Sequence, residues 1–182
     1  MSHTMALATE AGCALAIGPY PRFRYNGRGG GGRATVTPLA NGWQALRFDP
    51  SSLSIPALSC FTTRFLGLPL PPGLRIAIQP QQLEGHWHPA TGAVDLTFLA
   101  TFSLQLAQRS VAPDLIVATQ LVTHAVGGRR HQVSGTPLDG EGRGVLVGLA
   151  RVAPTGEGWV DRCLRLPDEA LAVLRCQLQR TG

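Results

Sequence analysis

At 182 residues the chain is long enough for one domain that buries roughly 70% of its unfolded surface. Hydrophobic residues at 44% and charged residues at 15% exclude a disordered composition, and 22 Gly with 14 Pro between short apolar runs suit many strands joined by tight turns. All 16 basic residues are Arg, which excludes lysine Schiff-base and lysine-nucleophile chemistry.

The formal charge of +5 allows an acidic partner, whether nucleic acid, anionic lipid or an acidic protein. The arginines are spread along the chain, with local density only at Arg22, Arg24, Arg28 and Arg33 and at Arg129-Arg130. Such a diffuse excess more often serves solubility, which weighs against nucleic acid as the partner. Cys13, Cys60, Cys163 and Cys176 form neither CxxC pairs nor a disulfide framework, so a reducing compartment fits. Glu10 interrupts the apolar stretch Ala6 to Ile17, no Lys or Arg precedes it, and no run of about 20 apolar residues follows anywhere. The expectation is a cytoplasmic protein without a transmembrane segment.

In chain order, residues 1–21 read as an N-terminal arm, because Gly18-Pro19-Tyr20-Pro21 would end any element before it. Arg22-Phe23-Arg24-Tyr25 alternates and reads as a short strand. The segment from Asn26 to Arg33 contains a GxGxxG match at Gly27, Gly29 and Gly32. That fingerprint needs a helix N-terminus to meet a pyrophosphate, but Ala34-Thr35-Val36-Thr37-Pro38 reads as a strand. A flexible hairpin loop is the preferred reading, with anion contact by Arg28 and Arg33 as a permitted use.

Asn41-Gly42 marks a turn, and Trp43 to Phe48 alternates again. Pro56 to Leu66 is expected to be a short helix, from the spacing of Leu58, Phe61 and Phe65 and from Gly67 as a cap. Leu66 to Gly73 is apolar yet rich in proline. Such a loop packs over the end of a sheet core or serves as a docking site or pocket lip. Leu74, Ile76 and Ile78 then begin a strand that leads through Pro80 into the clearest element of the chain.

That element spans Leu83 to Leu106. Leu83, Gly85 and Trp87 alternate with Glu84, His86 and His88. After the turn residues Pro89 to Gly92, Val94, Leu96, Phe98, Ala100, Phe102 and Leu104 alternate with mostly polar neighbours. Period two means strands, and together they predict a β-hairpin with Leu83, Trp87 and Phe98 on one face and Glu84, His86, His88 and Thr97 on the other.

Beyond it, Leu115 to Val126 is β-rich, Gly127-Gly128 turns the chain back toward His131 to Val133, and Gly144 to Val152 reads as a buried strand. Pro154 to Gly158 is a further loop before Trp159 to Leu164. The spacing of Ala170, Leu171, Leu174 and Leu178, with Pro167, Asp168 and Glu169 at the start, predicts an amphipathic C-terminal helix over 167–180.

The sharpest chemical constellation is Glu84-x-His86-x-His88. Alternate residues on a strand share a face, so these three could hold a metal with His124 or His131, or Glu84 and His86 could do general acid/base work. Their competing role is the solvent-facing side of an amphipathic hairpin. None of the cysteines stands in a nucleophile motif, and the paired carboxylates fall at turn and helix-start positions.

These patterns predict a mainly β protein, a single antiparallel barrel or sandwich of about eight to ten strands over residues 22–182, with the C-terminal helix packed on it. The leading expectation is a non-catalytic module that binds a hydrophobic small molecule or docks on a protein partner. It would use Trp87, Phe98, Phe102, Phe61, Phe65 and Leu68, and the sequence requires no cofactor. A barrel enzyme of isomerase, cyclase or hydrolase type, using Glu84, His86 and His88, is the alternative. Arginine-mediated nucleic-acid binding is a third.

Overall fold

A sheet whose strands are apolar on one face must stack or roll to hide that face from water. In the computed structural model, which describes residues 3–182, it rolls. The first strands are β1 (His3–Thr9), β2 (Cys13–Ile17), β3 (Phe23–Tyr25), β4 (Gly31–Pro38) and β5 (Gln44–Phe48). The short β6 (Thr63–Phe65) and β7 (Leu68–Pro69) lead to the long β8 (Leu74–His88) and β9 (Ala93–Leu106). There follow β10 (Arg109–Ser110), β11 (Leu115–Val122), β12 (Ala125–Gly127), β13 (Gln132–Ser134), β14 (Arg143–Val152), α1 (Gly158–Leu164) and β15 (Asp168–Arg180).

All pairings are antiparallel, and the circuit β1-β4-β5-β8-β9-β11-β14-β15 closes because β15 also pairs with β1. The register shows how short strands complete the wall. Cys176 to Arg180 of β15 pair with β1, and Ala170 to Val173 pair with β2, so β1 and β2 run end to end along one neighbour. β4 and β3 extend each other in the same way, as do β5 and β6. Neighbours in sequence are therefore neighbours in the wall, giving an eight-stranded up-and-down barrel. We call the end with the β8–β9 turn the upper end, and the end with α1 and the β6–β7 turn the lower end.

Side chains alternate across this wall as the period-two pattern requires. Val94, Leu96 and Ala100 of β9 are buried, while Asp95 and Thr97 are exposed. A bulge between Pro80 and Gln82 shifts β8 by one residue, so Ile76 and Ile78 below it and Leu83 above it all reach the interior. Outside, the wall carries Arg33, Arg47, Arg75, Thr97 and Gln79. This is the reverse of a lipid-spanning barrel, whose outer band is apolar. No helix of the described residues is long and apolar enough to cross a membrane.

Three expectations are corrected. Residues 167–180 are not a helix: β15 lies between β14 on one side and β1 and β2 on the other. Ala170, Leu174 and Leu178 satisfy helical spacing, yet Ala170, Ala172, Leu174, Cys176 and Leu178 also satisfy period two, and pairing along both edges overrides local propensity. The residues read as an N-terminal arm are wall strands; residues 1 and 2 of that arm lie outside the described residues. The helix expected over Pro56 to Leu66 is replaced by a bridge between Leu58 and Ile76, a turn at Ser59 to Thr62, and β6. The single α-helix among the described residues is α1, whose Asp161 accepts hydrogen bonds from the Thr155 N–H at 2.8 Å and the Gly156 N–H at 3.1 Å.

The glycine-rich stretch also changes meaning. Gly31 and Gly32 belong to β4, and a Cβ on Gly31 would stand 1.8 Å from the Leu7 carbonyl oxygen. Close backbone approach, with φ at +135°, demands glycine there.

Candidate ligand-binding cavity

The two halves of the barrel interior are filled differently. Above, Val36, Leu46, Phe48, Leu83, Leu96 and Leu146 form a continuous buried core with Met5, Cys176 and Leu178. Each such side chain taken out of water contributes about 1.5–3 kcal/mol. Below, beside a smaller buried cluster of Cys13, Tyr25, Leu58 and Leu70, lies a cavity of about 210 Å³ lined by Leu15, Phe23, Ile78, Phe102, Leu115 and Leu174 among others. Ala150, Ala170 and Ala172 leave the room, because a small residue stands on the wall where a large one would meet its neighbours. Leu164 of α1 marks the cavity's lower limit.

The lining is almost wholly apolar. It contains no arginine, histidine or carboxylate, and its hydroxyls are already used. Thr9 Oγ1 donates to the Gly27 carbonyl, Tyr25 Oη donates to the Pro56 carbonyl, and Thr119 Oγ1 donates to the Leu149 carbonyl at 2.6 Å. Burial pushes the Tyr25 phenol well above its ordinary value, so it stays a neutral donor. A cavity with its polar atoms satisfied stays dry and offers dispersion contacts alone.

The expected binding residues separate into three groups. Phe98 and Phe102 line the cavity, and Phe65 stacks against Phe23 with ring centroids 4.7 Å apart beside it. Trp87 belongs to the upper end, where it borders a wide polar cleft with Glu141, Arg143 and Arg180, and its Nε1 has no hydrogen-bond partner among the described residues. Phe61 at 92% exposure and Leu68 at 70% are outside the barrel. Sequence reading passed over Leu15, Phe23, Ile76, Ile78 and Leu115. Phe23, Ile76 and Ile78 alternate with polar or small neighbours, whereas Leu15 and Leu115 lie in unbroken apolar runs that give no such signal.

Glu84, His86 and His88 do share the outer face, as their alternation requires. Glu84 lies 3.5 Å from Arg47 and accepts from Gln82 Nε2 at 2.8 Å. His88 lies edge-on to Trp43 at 5.1 Å, with its Nε2 3.2 Å from the Asn41 carbonyl, which ties the hairpin to the β4–β5 turn. His86 is exposed opposite Asp95. His124 lies between β11 and β12, and among the described residues no group of three His, Cys, Asp or Glu could hold a metal ion. Of the cysteines, Cys13 and Cys176 are buried, and burial raises both thiols, Cys176 to about 12.

The strongest polar cluster is structural. Arg130 donates to both carboxylate oxygens of Asp168, at 2.7 and 2.8 Å, and Glu169 accepts from the N–H groups of Arg129, Arg130 and His131 at 2.9, 3.0 and 3.0 Å. Together they pin the β12–β13 hairpin to the outside of the barrel. The Arg130 guanidinium holds the Asp168 carboxyl at about 2.

No protein-family model, curated protein or solved structure matches the chain.

Proposed function

We propose that the protein is a non-catalytic holder of a small, uncharged, apolar molecule in the lower half of its barrel. The observation that carries this reading is the contrast within one interior: a filled upper half, and below it an apolar cavity of about 210 Å³. An apolar cavity of about 150 Å³ accommodates benzene, so this one has room for a ligand of roughly eight to ten carbon atoms. With no cation in the lining and each hydroxyl donating to a backbone carbonyl, a carboxylate or phosphate would be left unpaired inside. A short hydrocarbon chain or a monocyclic ring is the chemistry that fits.

An enzyme at Glu84, His86 and His88 has weaker support, since those side chains face away from the cavity, with Glu84 on Arg47, His88 on Asn41 and Trp43, and His86 exposed. The test is displacement of an apolar fluorescent probe by neutral decanol and by decanoate at neutral pH. Displacement by the alcohol at much lower concentration than by the acid supports the reading. No probe binding, or preference for the carboxylate, removes it.

A further inference from the structure

We propose that the lower end of the barrel docks on an anionic lipid bilayer. Six exposed large apolar side chains gather there: Leu66 at 72% and Leu68 at 70% exposure on the β6–β7 turn, Trp159 at 45% on α1, Leu106 at the end of β9, Ile116 on β11 and Tyr20 on the β2–β3 turn, against Leu39 and Trp43 at the upper end and Phe61 on the turn before β6. Tyr20 Oη also donates to the Cys163 carbonyl, tying its turn to α1 so that both form one surface.

The charge of that end is equally distinct. Arg22, Arg64, Arg75, Arg109, Arg162 and Arg165 are all exposed around it, and none has a carboxylate within 4.0 Å among the described residues. The acids at that end are Asp114, Glu157, Asp161, Asp168 and Glu169, fewer than the arginines there, and Asp168 is paired with Arg130. Away from that end Arg28, Arg33, Arg47, Arg143, Arg175 and Arg180 are matched in number by Glu10, Asp49, Glu84, Asp95, Asp139 and Glu141, with Arg47 3.5 Å from Glu84 and Arg143 3.2 Å from Glu141. The chain's formal +5 is thus expressed mainly where its greasy side chains stand out.

Apolar tips ringed by unpaired arginines complement a negatively charged headgroup layer over acyl chains. Each Arg near an anionic surface strengthens binding about fivefold, and Trp and Tyr favour the interface. A single-stranded nucleic acid would use a row of stacking aromatics, whereas four of the six exposed apolar side chains here, Leu66, Leu68, Leu106 and Ile116, are aliphatic. The polar outer wall keeps the barrel on the membrane, not across it. Nothing in this placement depends on what fills the cavity.

The experiment is flotation of the full chain with phosphatidylcholine vesicles, with and without about 30% phosphatidylserine, at rising salt. The expected result is binding to the anionic vesicles alone, lost toward about 0.5 M salt. Arg75→Glu with Arg109→Glu should weaken it at least about tenfold, and so should Leu66→Asp with Leu68→Asp. Arg33→Glu, on the upper wall, and the cavity-filling Ala172→Phe should leave it unchanged, which separates this surface from the ligand reading. Equal binding to neutral vesicles, indifference to the lower-end substitutions, or loss with Arg33→Glu or Ala172→Phe would overturn the proposal. So would retention on DNA by the Leu66→Asp/Leu68→Asp protein with no vesicle binding by the unaltered chain.

Discussion

Leu83 and Phe98 are register partners across β8 and β9, yet Leu83 is sealed in the upper core while Phe98 forms the ceiling of the cavity. The boundary between filled and unfilled interior runs through that pair. Above it the barrel is stabilised by a filled core; below it, by its wall and by the smaller cluster of Cys13, Tyr25, Leu58 and Leu70 beside the cavity.

Truncation should therefore cost different amounts on the two sides. Leu96, 1% exposed in the upper core, should lose about 2–5 kcal/mol on Leu96→Ala. Leu115→Ala only widens an existing void, and should cost about half as much, since fewer contacts are lost. Urea unfolding of both variants is the measurement. Equal costs would place the packing boundary elsewhere.

Filling the cavity should stabilise the protein while abolishing its binding. Ala172→Leu projects a larger side chain into open space and should raise stability by about 0.5–2 kcal/mol. Calorimetry with and without decanol should then give a Tm insensitive to the alcohol, in contrast to the unaltered chain.

The hairpin latch should open in acid. Because Arg130 holds the Asp168 carboxyl at about 2, below the unfolded value near 3.9, the stabilisation it provides is fully present above about pH 4 and is lost as pH falls through about 2. Nuclear magnetic resonance of the Arg130 Nε–H should show a midpoint near the lower value. A midpoint close to 4 would mean that the pair does not form in solution.

Thiol reactivity should separate the cysteines. Cys163 is exposed and should label quickly at neutral pH, while Cys13 and Cys176 are buried with raised pKa values and should label only on unfolding. Mass spectrometry of timed quenches reads the order, and early labelling of Cys176 would contradict the packing of β15 against β14.

The hairpin of β8 and β9 was readable because polar and apolar residues alternate strictly from Val94 to Phe98. β15 was not, because Leu171 and Val173 are apolar as well and erase the contrast between faces where the strand begins. β1 and β2 were hidden by the break at Glu10 to Gly12 and by the unbroken apolar run Cys13 to Ile17, and are recognisable only once both pair with β15. Phe98 and Phe102 were found from one strand. The cavity draws single residues from strands far apart in sequence, and barrel closure alone brings Leu15, Ile78 and Leu115 together.

Xenon pressurisation of crystals tests the central claim most directly, because the gas occupies dry apolar voids without needing the natural ligand. The account predicts xenon among Phe102, Leu115 and Leu174 and none among Leu46, Leu96 and Leu146. Ordered water in the lower half, or an interior collapsed so that no xenon enters, would contradict it.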